Sequence, residues 1–407
     1  MAVLAGIVLS KPFFLGADSA HHYAHVWYIS DQLFRHGRLP LRVASLESGQ
    51  ALTFPYGVVP WMLAAPFRLI LGDWAVTAIM VLGFALYGYS LAVAFPALRD
   101  VRLLSLVYAD TFLIEALVSF QMAFLWSLVL FFFFVAALNR RRWVLATSLA
   151  TGTFLTHPFA GLMIIPAALA WHFVRRPEDR RVLLAVGALT AALVAPYALY
   201  LHGSPVFQDT RRSYLVGTLR WIARYRSPMV ALPLGLAAAS RPARRAYLPL
   251  FLAMALVFGH RILHQDVNTF GLDRYSRPFY GAFIRSPAFD RSLVYRVLEP
   301  NDREDGAYQL FRHGAVLAQD FFDQSQMRRW WDTLDQYTCF LSARRVDMVI
   351  LEKDYPLKFS QNEDVRLREL EERGQARVWF RDERGRFTVY DVRGARREPV
   401  RLADCHL

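Results

Sequence analysis

The chain has 407 residues, of which 55% are apolar and only 20% charged, and its mean hydropathy is +0.23. Its formal charge of +13 would suggest nucleic acid in a soluble protein. Here the apolar residues lie in long blocks with arginines clustered between them, which excludes a soluble core protein and a nucleic-acid partner and leaves a polytopic membrane protein.

Residues 1–15 lack a basic leader and read as a short first spanning helix running outward. The stretch "GADSAHHYAHVWYISDQLFRHGRLP" follows, within an outer loop expected over 16–53. Asp18 or Ser19 can cap a helix there. Ala24, Trp27, Tyr28, Leu33 and Phe34 suit a helix lying flat on the membrane surface, ended by Gly37 and Pro40. His21 and His25 share one face at i, i+4, as do Asp18 and His22.

Residues 54–71 return inward to a tight turn at Gly72–Asp73, and the uncharged block 74–98 goes out again. A second outer loop is expected over 99–110, ending at Asp110, and 111–138 comes in to meet "NRRRW". Residues 143–174 contain "FLTHPFAGLM". As one helix they would put "RRPEDRR" on the outer face, against the bias of arginine toward inner loops. Split at His157–Pro158 they cross twice, and proline breaks a helix readily. Then 182–201 exits, 229–240 enters and 246–259 exits. The expected total is about nine transmembrane helices over 1–260, with the amino end cytoplasmic.

The polar stretch 261–407 is then an extracytoplasmic α/β domain. A strand is expected in "RRVDMVILEKDY", a helix over 362–374 capped by Asn362 and stopped by Gly374, and a hairpin around "DERG" at 382–385. An oxidising outer space permits a Cys339–Cys405 disulfide. Two unpaired thiols are the alternative.

Three readings of the Asp18 cluster compete on spacing alone. Asp18 can accept a proton from an acceptor hydroxyl while His or Arg offsets the charge on a phosphate leaving group. One carboxylate and two imidazoles can hold a divalent ion. Or Asp18 only caps a helix and the histidines fill an interface. Further polar candidates are Glu47, a solvated residue on the plainer reading, and His157, either packed or in contact with a donor phosphate. His260, Arg261 and His264 form a cationic rim at the outer end of the last crossing, and Arg274 opens the outer domain among aromatics. Ordinary interfacial anchoring explains the first three too, and a packed interface between domain and membrane is the alternative for Arg274.

The order of short first helix, Asp18, long outer loop and "FPYGVVPW" at 54–61 resembles the GT-C superfamily of membrane glycosyltransferases, and "FLTHPFAGLM" is similar to an element of that superfamily. The resemblance implies a polyprenyl-phosphate-linked sugar as donor and a glycan, lipid or protein hydroxyl as acceptor. It also implies inverting transfer on the outer face of the plasma membrane. Asp18 matches the catalytic base, and Asp110 a second acid found in the next outer loop of some members. The resemblance would place donor phosphate near His21, His22, His157, His260, Arg261, His264 and Arg274. The paired acids of some members are absent, since Ser19 and Ala20 follow Asp18; Mg or Mn is left open, and no cofactor is certain. Mannosyl, arabinofuranosyl and glucosyl donors are not separated. A lipid or sugar transporter or flippase is the rival class, expected to show matching broken helices in two halves. A membrane assembly factor without chemistry is the third.

Overall fold

The computed structural model describes residues 19–39, 41–43, 45–46, 50–52, 58–202, 220, 223, 227–264, 277–298, 305–318, 331–352, 362–383, 385, 387–396, 400 and 402–405. They form two compact units, one within Thr53–Gly271 and one combining Leu15–Leu52 with Leu272–Leu407. The loop expected to belong to the membrane module therefore groups with the C-terminal domain.

The second unit opens with α1 (Ser19–His36), β1 (Arg42–Val43) and β2 (Gln50–Ala51). Gly37 ends α1 at φ +64°, a left-handed position that glycine adopts without strain.

The first unit is helical. It comprises α2 (Val59–Leu71), α3 (Trp74–Ala94), α4 (Val101–Tyr108), α5 (Thr111–Val118) and α6 (Met122–Asn139). It continues through α7 (Trp143–Thr156), α8 (Pro158–Arg175), α9 (Arg180–His202), α10 (Pro228–Ala238), α11 (Ser240–Arg245) and α12 (Tyr247–His264). Among the described residues four helical spans are long and apolar enough to cross a membrane: Trp74–Ala94, Met122–Asn139, Pro158–Arg175 and Pro177–Tyr200. Four shorter apolar helices accompany them: Val59–Leu71, Trp143–Thr156, Pro228–Ala238 and Tyr247–Val257. Among the described residues, four full-length spans and these four shorter helices stand against the expected nine, because several crossings are broken or short. The first expected crossing, 1–15, lies outside the described residues.

α6 is apolar around its whole circumference and buried on almost every side, so it forms the centre of the unit. α9 instead exposes Leu184, Leu189 and Leu193, as a lipid-facing helix does. Gly83 lets α6 approach α3 closely: a Cβ there would lie 2.6 Å from the Trp126 ring nitrogen, which donates to Ile79 O at 3.0 Å.

Direction along these helices corrects the expected topology. Trp126 reaches back 47 residues to Ile79, and Asn139 Nδ2 reaches back 45 to Ala94 O at 3.3 Å. The nearly constant offset means that α3 and α6 run the same way. The segment between them must therefore carry the chain back, and it does so as α4 and α5, with Tyr108 donating to Phe84 O at 3.0 Å. The expected outer loop 99–110 is a helical return, and the expected single helix over 111–138 is broken at Phe120, whose φ is +61°. One end of the unit gathers the basic loops. Arg141 pairs with Glu178 (2.8 Å) and Asp179 (3.0 Å), Arg176 donates to Leu138 O, and Arg244 pairs with Asp100. The Gly72–Asp73 turn, placed at the start of α3, falls at the opposite end, not with the arginines. The break at His157–Pro158 is as expected.

The C-terminal part of the second unit holds α13 (Arg277–Arg285), β3 (Val294–Leu298), α14 (Asp305–Arg312), β4 (Val316–Leu317) and α15 (Leu334–Ala343). It ends with β5 (Met348–Glu352), α16 (Glu363–Glu372), β6 (Arg377–Arg381) and β7 (Phe387–Asp391). The sheet has the order β4-β3-β5-β7-β6. β3 is parallel to β4 and β5, while the hairpin β6–β7 joins β5 antiparallel. Leu317 N donates to Ser45 O at 2.8 Å, so the loop before β2 extends the β4 edge. The core collects Trp331, Phe340, Leu341, Val349, Leu367 and Tyr390. Asn362 precedes α16 as expected but does not cap it with its side chain. Its amide instead accepts from Trp331 N and donates to Trp331 O.

Cys339 on α15 is bonded to Cys405, 66 residues on, with Cα atoms 5.6 Å apart. Closing a loop of that length removes unfolded-state entropy worth about 4 kcal/mol on the chain-entropy account. Reduction should therefore lower the denaturant resistance of this unit by about that amount. Two thiols alkylated without prior reduction in purified protein would contradict the bond.

Candidate functional site

α1 begins at Ser19, one residue after Asp18, which itself lies outside the described residues, as do Glu47 and Arg274. The apolar face expected to meet lipid packs against protein of the same unit. The rings of Tyr23 and Tyr308 lie 5.9 Å apart, and those of Trp27 and Phe311 5.3 Å apart. Ala24 is fully buried, while Phe34 stays 45% exposed. This packing holds the amino-terminal turn of α1 to α14 and fixes the direction in which its histidines project.

His21, His22 and His25 are all buried. His21 and His25, one turn apart, have ring centroids 4.1 Å apart, and His25 Nδ1 lies 2.8 Å from His21 O. Burial, followed by the neighbouring His25 and His22, holds His21 well below the usual imidazole range. Burial pushes His25 down to about 4, against a smaller upward pull from its backbone hydrogen bond. A neutral ring at His21 supplies a hydrogen bond to an anion but no compensating charge.

These shifts make a stability prediction. A histidine whose pKa is depressed from 6.5 to about 4 binds its proton more readily in the unfolded chain between those values. Stability is therefore full above about pH 6.5 and falls as pH drops toward 4. For His25 the loss is on the order of 3 kcal/mol, at about 1.4 kcal/mol per pH unit. Thermal melts from pH 7 to 4 should show this decline, and His25→Gln should remove the His25 share of it, leaving that of His21.

In the helical unit, Asp110 is buried, not placed in an outer loop, and its Oδ1 accepts from Phe112 N at 3.1 Å as the cap of α5. His157 is also buried and caps α8, its Nδ1 accepting from Ala160 N at 3.2 Å, with its ring 5.5 Å from Phe124. His260 lies exposed near the end of α12, a helix that continues through Arg261 to His264. The structure thus gathers His21, His22 and His25 on one helix and builds Asp110 and His157 into two helix starts of the other unit. Among the described residues no group of three His, Cys, Asp or Glu side chains is arranged to hold a metal ion. His25 escaped the expected site set, although its i, i+4 spacing from His21 was the available signal.

No family model matches the chain, and no curated protein matches it. Among solved structures, the chain is similar to ArnT from Cupriavidus metallidurans, determined with undecaprenyl phosphate bound. The likeness has a TM-score of 0.50 and 14% identity, and it covers 97% of each chain. The fold is that of a polytopic membrane protein carrying a C-terminal mixed-sheet domain, shared over almost its full length with that structure.

Proposed function

We propose that the protein is a GT-C-type membrane glycosyltransferase that moves a sugar from a polyprenyl-phosphate donor to an acceptor hydroxyl on the outer face of the membrane. The observation that carries this reading is the fold likeness over 97% of both chains to a protein solved with undecaprenyl phosphate bound. A fold supports many chemistries, so the site must supply the reaction. Asp18 immediately precedes α1, where the positive end of the helix dipole favours an ionised carboxylate. As base it takes the acceptor proton while the acceptor oxygen attacks the anomeric carbon. The bond to the phosphate oxygen breaks on the opposite side, inverting the centre. Neutral His21, with His22 beside it, steers by hydrogen bonding, and the charge on the leaving phosphate falls to arginine. Arg274 is the proposed partner, with Arg261, His260 and His264 as further candidates.

Under this reading the basic loops face the cytoplasm and the C-terminal unit faces outward. Single cysteines at Arg38, Glu178 and Gln375, all exposed, test it, with the native disulfide kept. An impermeant thiol reagent should label the first and third in intact cells and spare the second. The function itself is tested in proteoliposomes that report sugar transfer and lipid movement together. Transfer supports the proposal; movement of intact donor between leaflets without transfer makes the protein a flippase.

A further inference from the structure

A cavity of about 810 Å³ opens within the helical unit between α6, α8 and α10, a size typical of small-molecule sites. It exists because facing positions carry small side chains: Ala160, Ala167 and Ala168 on α8, and Ala231, Ala237 and Ala238 on α10. Along α8 its wall runs from Ala160 to His172, about 18 Å at 1.5 Å per residue. One leaflet of hydrocarbon is about 15 Å deep.

The two ends of the cavity differ. Asn139 and His172 line the end at the basic loops, with His172 Nε2 3.2 Å from Asn139 Oδ1. Arg176 donates to Leu138 O and reaches Asn139 Oδ1 at 3.5 Å. The Arg175 guanidinium stacks over the wall residue Trp171, 4.4 Å from its ring centroid. Arg141 is neutralised by Glu178 and Asp179, but Arg140, Arg142 and Arg175 take part in no ion pair among the described residues. At the other end the polar wall residue is Ser227. An apolar slot deeper than one leaflet, with uncompensated cations at one mouth, matches a lipid with a negative headgroup on that side.

We infer that this cavity holds an acyl chain of an anionic phospholipid from the leaflet at the basic loops, its phosphate bound by Arg175 and Arg176. The site is separate from the transfer chemistry. A donor carrier would present its phosphate at the opposite end, near His157.

The test adds dioleoylphosphatidylglycerol or dioleoylphosphatidylcholine to the full-length protein in detergent and counts retained lipid by native mass spectrometry. Phosphatidylglycerol should be retained at about tenfold lower concentration, since each arginine near an anionic headgroup contributes several-fold. Arg175→Gln leaves the Arg176–Leu138 contact intact and should reduce that preference several-fold. Ala168→Phe fills the slot and should remove the bound lipid without lowering the melting temperature. Equal retention of the two lipids by the unaltered protein overturns the inference, as does unchanged retention in folded Ala168→Phe. Displacement by undecaprenyl phosphate that survives Arg175→Gln but is lost in His157→Gln also overturns it, by giving the cavity to the donor carrier. Failure of every sugar-transfer assay would leave this result unaffected.

Discussion

Asp18→Asn should lower sugar transfer by about 10²- to 10⁴-fold, the usual cost of losing a general base. Asparagine is as good a helix cap as aspartate, so the start of α1 should form normally and the melting temperature should change little. The loss should appear in kcat more than in KM, because the base acts only as the acceptor proton leaves. His21→Gln and His22→Gln should be milder if these rings only donate hydrogen bonds. If either ring ligates a metal ion, its variant should approach the Asp18→Asn loss and a chelator should abolish activity. Near-normal transfer by folded Asp18→Asn would move the search for the base to Asp110 and Glu47.

The second large effect concerns stability. Arg296 on β3 and Glu363 at the start of α16 form a bidentate pair, with Nε to Oε1 at 2.6 Å and Nη2 to Oε2 at 2.7 Å. Arg296 is 3% exposed and Glu363 is fully buried. The Arg296 guanidinium also lies 5.2 Å from the Phe340 ring centroid. Removing one partner leaves a buried charge uncompensated, which costs about 3–5 kcal/mol. Glu363→Gln and Arg296→Met should each do so. Replacing both with apolar residues should be much closer to neutral, because the desolvation cost disappears with the charges. Hydrogen exchange in the intact protein reads this locally. A loss of about 4 kcal/mol raises the open population of β3 and α16 on the order of 1,000-fold. A single variant costing under about 1 kcal/mol would show that water reaches the pair.

The legible parts of the chain were those where one residue type leaves the backbone little choice. Pro158 has no N–H to give a preceding turn, so the break between α7 and α8 could be read directly. The hairpin β6–β7 and strand β5 followed from alternation around turn residues. The break at Phe120 carried no such mark, since a left-handed phenylalanine is not signalled by its neighbours. Arg99, Asp100 and Arg102 made 99–110 look like a solvated loop. They lie toward the basic end of the helical unit, where Asp100 pairs with Arg244 and begins α4 by accepting from Arg102 N. The direction of α3 depends on contacts 45 residues apart, which local pattern does not contain. The Asp18–His cluster was visible as spacing. That its apolar face would cover α14, leaving the histidines buried and His21 neutral, depends on a segment almost 300 residues later.

The most direct measurement is cleavage of the donor in detergent, where no membrane separates two sides. The protein is mixed with each of a panel of polyprenyl-phosphate sugars, with and without candidate acceptors, and free polyprenyl phosphate is quantified. The account predicts acceptor-dependent release equal to the sugar transferred, with the product anomer inverted and with release lost in folded Asp18→Asn. Donor left intact across the whole panel by folded protein, while the same preparation moves that donor between leaflets of a vesicle, would contradict it.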